Sequence, residues 1–169
     1  LSWGVLDNYM QDFIDKTDVI KFLLTKHSSR KIIIIGHYVE QLRIIQKQLK
    51  VNLITGNTQP EARERLYNDF RNNKINLLLL SRIGNEAINL PDAEILIQIS
   101  GLFGSRQEEA QRLGRILRRK ENTAYFYSIV TADTVEVDFS KKRQRFLIEQ
   151  GYSYKNFNFI EGVIENANQ

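Results

Sequence analysis

The sequence predicts an α/β fold: an open, mostly parallel sheet with helices on both faces. Two observations carry this. Five short runs are apolar nearly throughout, as strands buried on both faces must be. The segments between most of them repeat apolar residues at helical spacing, and strands alternating with helices give a parallel sheet.

In chain order, residues 1–30 open with Asp7, Asp12, Asp15 and Asp18, followed by Val19, Ile20, Leu23 and Leu24 at helical spacing. Lys31-Ile-Ile-Ile-Ile-Gly36 is the first predicted strand. Val39, Leu42, Ile45 and Leu49 mark the next helix, and Val51-Asn-Leu-Ile-Thr55 the second strand. Thr58 with Glu61 forms a capping box, and Pro60 suits a first helical turn, so a helix starts there with Leu66, Tyr67 and Phe70 facing inward. Asn76-Leu-Leu-Leu-Leu80 is the third strand, residues 81–91 a loop, and Ala93-Glu-Ile-Leu-Ile-Gln-Ile99 the fourth. Thr123-Ala-Tyr-Phe-Tyr-Ser-Ile-Val130 is the fifth, and a helix runs from about Asp133 to Gly151. Phe126, Phe139 and Phe146 fall on buried faces. The end of the chain reads as a short strand and a frayed tail. The expected organisation is a helical lead-in over 1–30, one domain over 31–155 and a tail over 156–169.

With 169 residues, 42% hydrophobic and 26% charged, the chain has the composition of one globular domain. It has no apolar run near membrane-span length and no signal segment, so no membrane partner is expected and the default compartment is cytoplasmic. Without cysteine there is no disulfide or thiol chemistry, and with only His27 and His37 no metal site is expected. The net charge of +4 is matched by residues 101–120 alone, which hold six basic and two acidic residues. Lys141-Lys-Arg-Gln-Arg145 forms a second basic cluster. Clustered positive charge favours a polyanion, while for the second cluster a solvated helix face is the equal alternative.

The stretch 105–119 is the most informative. Ser105 and Glu108 form a capping box, so a helix follows. Gln111, Arg115 and Arg118 then share one narrow face, opposite Ala110, Leu113, Ile116 and Leu117. Gly114 adjoins the arginine face, where glycine costs about 1 kcal/mol relative to alanine. That cost suits a close approach, and two arginines suit a phosphate. Yet no P-loop, no Asp-Glu strand end and no G-x-G-x-x-G fingerprint is present. The chain has fingers for a nucleotide but no hand to hold one.

Gln111-Arg-Leu-Gly-Arg-Ile-Leu-Arg118 resembles motif VI of superfamily 2 helicases, and Ser81-Arg-Ile-Gly-Asn-Glu-Ala-Ile-Asn-Leu-Pro91 resembles motif V. Residues 32–42 hold the position of motif IV. The stretch 100–115, Asp133-Thr-Val-Glu-Val-Asp-Phe139 and residues 143–154 are similar to the XPB family of DNA repair helicases, especially bacterial members. The resemblance covers about residues 20–155 and implies the C-terminal RecA-like lobe of a two-lobed motor. In that family Arg115 and Arg118 would be arginine fingers, with Gln111 near the γ-phosphate. ATP and Mg²⁺ would be held by an N-terminal lobe of the same protein. Nucleotide contacts would come from Gly84, Glu86 and Asn89, and DNA contacts from Gly36, His37, Ser81 and Arg82. Most members read Gly-x-Asp where this chain has Ala87-Ile-Asn89, and Asn89 can still hydrogen-bond a ribose hydroxyl.

The resemblance thus implies a DNA helicase or translocase of 3′→5′ polarity. The isolated chain is expected to be ATPase-inactive, and the start at Leu1 without Met is expected of a fragment. The alternative is a non-catalytic nucleic-acid-binding or regulatory module derived from such a lobe.

Overall fold

A computed structural model describes residues 2–8, 16–81, 92–99, 124–131, 153–160 and 163–166, with helical positions 141, 142, 145 and 149. Eight strands form one sheet in the order β3-β4-β2-β5-β6-β1-β7-β8. They are β1 (Ser2–Asn8), β2 (Ile32–Ile35), β3 (Asn52–Ile54), β4 (Leu77–Leu80), β5 (Ile95–Gln98), β6 (Tyr125–Thr131), β7 (Ser153–Ile160) and β8 (Val163–Asn166). Every pairing is parallel except that of β7 with β8. Helices α1 (Lys16–Lys26), α2 (Val39–Leu49) and α3 (Pro60–Arg71) complete the described elements.

The apolar runs fold as their composition requires. All four residues of β2 and of β5 are buried. In register, Ile32, Ile34, Leu79, Ile95, Ile97, Tyr127 and Ile129 line one face, where Val19, Ile20 and Leu23 of α1 and Leu42 and Ile45 of α2 meet them. Fully burying each such aliphatic side chain contributes about 1.5–3 kcal/mol. Tyr67 and Phe70 of α3 are buried outside that cluster. The connection through α3 crosses the sheet in the opposite sense to those through α1 and α2, so right-handed crossovers put it on the other face. The open, mostly parallel sheet with helices on both faces is therefore as the sequence predicts.

Three local differences have physical reasons. Thr58 does not cap α3: its Oγ1 accepts from the Thr55 amide at 2.9 Å, closing the turn after β3. Gln59 takes the N-cap position without a side-chain bond, and Pro60 opens the helix as its fixed φ favours. Residues 2–8, read only as part of a lead-in, form a strand because β6 and β7 flank them and satisfy their backbone from both sides. At the other end, β7 runs across residue 155, and β8 pairs with it inside the segment expected as a tail. Of the basic cluster, Lys141, Lys142 and Arg145 are helical and exposed. Phe126 is buried, whereas Phe139 and Phe146 lie outside the described residues.

Candidate functional site

Because β2 to β5 are parallel, their carboxyl ends share one edge, where ligands of open α/β sheets bind. Three backbone bonds draw those ends together. The Ser81 amide donates to the Ile54 carbonyl at 3.0 Å, Gly36 to Leu80 at 3.1 Å, and Ile99 to Ile35 at 2.9 Å. Gly36 and Ser81 thus lie at the same edge, next to the end of β5.

Gly36 is required here by packing. A Cβ at this position would lie 2.8 Å from Ile99 Cγ1, closer than side chains tolerate, and 3.3 Å from Leu42 Cδ2, a tight contact. Its amide is already engaged with the Leu80 carbonyl, so the Gly36 N–H is taken up by the sheet. His37 is half-buried and meets the Tyr38 ring edge-on at 5.0 Å. Tyr38 itself is 55% exposed. Ser81 is buried. Arg82, Gly84, Glu86, Asn89, Gln111, Arg115 and Arg118 lie outside the described residues.

Two buried polar features near this edge escape a reading of motifs and spacing. Lys16, at the start of α1, is buried and its Nζ donates to the Ile99 carbonyl. Gln98 and Ser128 are buried register partners on β5 and β6. Gln98 stands out as the amide within an apolar run, whereas Lys16 follows a stretch read only for its acidic charge. Among the described residues no group of three or more His, Cys, Asp or Glu side chains could hold a metal ion. No described helix is long and apolar enough to cross a membrane.

The displaced titrations among the described residues lie away from the carboxyl edge. His27, just past the end of α1, sits 2.6 Å from the Tyr127 hydroxyl, and both are buried. Burial, then the charges of Lys26 and Arg30, lower the His27 pKa to about 4. Burial, then Tyr125, raise that of Tyr127 to about 12, with Arg30 opposing. Both groups are therefore neutral at pH 7, one donating to the other. Nearby, Arg30 pairs with Glu94 at 2.9 Å and lies over the Tyr125 ring. This is a structural clamp between α1 and β6.

The clamp sets a pH dependence. The unfolded chain protonates His27 near pH 6.5 and the folded chain near 4, so the unfolded state binds more protons between these values. Stability is full above about pH 6.5 and falls as pH drops towards 4. The His27 contribution to that fall between pH 7.5 and 5 is expected to be about 2 kcal/mol. Denaturant unfolding of the wild type and His27→Gln at both pH values measures it. Equal pH dependence in the two proteins would discard the clamp.

A family model described as the ERCC3/RAD25/XPB C-terminal helicase matches residues 11–169. The chain belongs to this family. It is 42% identical over 158 residues to the DNA 3′-5′ helicase XPB of Kineococcus radiotolerans, covering 91% of this chain and 28% of that protein. With the DNA 3′-5′ helicase XPB of Mycobacterium tuberculosis it shares 45% identity over 141 residues, or 82% of this chain and 26% of the relative. The chain thus spans about a quarter of these relatives. The C-terminal domain of the DEAD-box protein Dbp5 has the same fold, with a TM-score of 0.73 at 19% identity over 90% of this chain and 89% of that one. The XPB-family match begins after β1 and extends through β8, so β7 and β8 fall within it and β1 precedes it.

Proposed function

We propose that the chain is the second, C-terminal motor lobe of an ATP-dependent DNA helicase or translocase. Arg115 and Arg118, with Gln111 near the γ-phosphate, complete a nucleotide site whose ATP and Mg²⁺ are held by an N-terminal lobe. Their guanidinium groups stabilise charge developing on the transferred phosphoryl oxygens. Gly84, Glu86 and Asn89 contact the nucleotide, while His37 and Arg82 meet the DNA backbone, with the buried Ser81 and Gly36 fixing the strand ends that carry them. ATP closes the lobes, hydrolysis reopens them, and alternating grip moves the lobe along one strand.

The observation that carries this reading is membership of the XPB family by a chain that holds Gln111-Arg-Leu-Gly-Arg-Ile-Leu-Arg118 and lacks any phosphate loop. The second reading, a non-catalytic nucleic-acid-binding module, is favoured by the exposed cations Lys141, Lys142 and Arg145. One comparison separates them. The full-length protein is expected to hydrolyse ATP faster with DNA and to unwind 3′→5′, while the isolated 169-residue chain hydrolyses none. Full-length protein without DNA-stimulated turnover favours the binding module. ATPase activity of the isolated chain that is lost in Arg115→Ala would sink the two-lobe reading.

A further inference from the structure

Tyr38 follows β2 at the carboxyl edge of the sheet and takes the N-cap position of α2. It is 55% exposed, whereas Tyr67, Phe70, Phe126 and Tyr127 are buried. No side-chain hydrogen bond caps the helix, although serine, threonine, aspartate or asparagine at this position would supply one. Neither capping nor burial therefore accounts for a tyrosine here. The ring is nevertheless oriented: the half-buried His37 meets it at 5.0 Å with the two planes at 83°. The backbone on both sides is fixed as well. Gly36 donates to the Leu80 carbonyl, and the Tyr38 carbonyl accepts from the Leu42 amide at 3.2 Å. Ile44 of the same helix is as exposed but offers no π face. An aromatic ring held on rigid backbone is a platform for an unstacked nucleobase, and little further ordering is needed on binding.

We propose that Tyr38 is a base-stacking site for single-stranded DNA. Its ring takes the face of one nucleobase, while the adjoining His37 meets the backbone of the same strand. Every base has a π face, so stacking is tolerant of sequence, as a motor travelling along any strand requires. The inference rests on the helicase reading above.

The test measures binding of fluorescent oligothymidylate to the full-length protein by anisotropy. Tyr38→Ala is expected to weaken binding by about 5- to 150-fold, while Tyr38→Phe, which keeps the ring, binds like the wild type. A strand of the same length made of abasic sites separates stacking from any other role: on it the wild type and Tyr38→Ala should bind alike. The salt dependence of Tyr38→Ala should keep the wild-type slope, because no phosphate contact is lost. Unchanged affinity of Tyr38→Ala for oligothymidylate, an equal loss on the abasic strand, or a lowered salt slope overturns the proposal. Should Tyr38→Ala not fold, Tyr38→Ser, whose hydroxyl can cap α2, passes through the same comparison under the same criteria. If oligothymidylate neither binds the wild type nor stimulates its ATP hydrolysis, the helicase reading fails and this inference with it. If it does both while Tyr38→Ala binds like the wild type, only the stacking role fails.

Discussion

Replacing Arg115 by alanine in the full-length protein is expected to lower kcat for ATP hydrolysis by about 10³- to 10⁵-fold, the range an arginine finger supplies. Arg118→Ala should act in the same direction. The physical basis is differential: a guanidinium that meets the phosphoryl oxygens as charge develops on them raises kcat more than it tightens ATP binding. KM for ATP should therefore change far less than kcat. Arg115→Lys should not restore the rate, because a point charge cannot reproduce a planar fork on two oxygens. Steady-state kinetics with and without DNA measure the effect. A kcat for Arg115→Ala within about tenfold of wild type would remove Arg115 from the mechanism.

Phe70→Ala is expected to destabilise the fold by about 3–5 kcal/mol, much of a domain's total stability. Phe70 is fully buried, on the last turn of α3, and the Lys31 ammonium lies 5.5 Å from its ring centroid. Truncation leaves a cavity in the core and removes the ring over which the Lys31 ammonium lies. By contrast, Ile44 on α2 is 54% exposed, and its replacement by alanine should be close to neutral. Urea unfolding of both variants at pH 7.5, where His27 contributes fully, gives the comparison. A loss below about 1 kcal/mol for Phe70→Ala would contradict the packing of α3.

The parts of this fold legible from sequence are those in which a single physical effect outweighs the rest. Ile32–Ile35 and Leu77–Leu80 are unbroken apolar runs, and only a doubly covered strand satisfies such a run. Val39–Leu49 reads as a helix because Leu42 and Ile45 recur at its period. β1 is hidden because Ser, Gly, Asp and Asn dilute its apolar residues, and its strand state comes from two neighbours distant in sequence. Thr58 misleads for a related reason: a capping box names a hydroxyl and an acid but not the competing amide of Thr55, which claims the hydroxyl. At the carboxyl edge, parallel topology makes Gly36 and Ser81 neighbours, as strand order alone suggests. Spacing cannot reveal that both their amides are engaged, or that Lys16 reaches the end of β5 from the far side of the chain.

The position of β1 has a consequence for the order in which the molecule can assemble. This strand comes first in the chain yet lies in the interior of the sheet, paired with Tyr125–Thr131 on one side and Ser153–Phe159 on the other. During synthesis its backbone has no permanent partner until well over a hundred residues have followed it, and closing such a loop costs entropy before any contact rewards it. The half-sheet β3-β4-β2-β5, with α1 and α2 packed on it, uses pairings that are complete before β6 is made. β1 is therefore a late keystone: it joins a finished half to the hairpin of β7 and β8, and neither β6 nor β7 has the other as a substitute neighbour. A chain cut after residue 8 would keep most of its apolar core and still leave the β7–β8 hairpin with no strand to hold it to the rest.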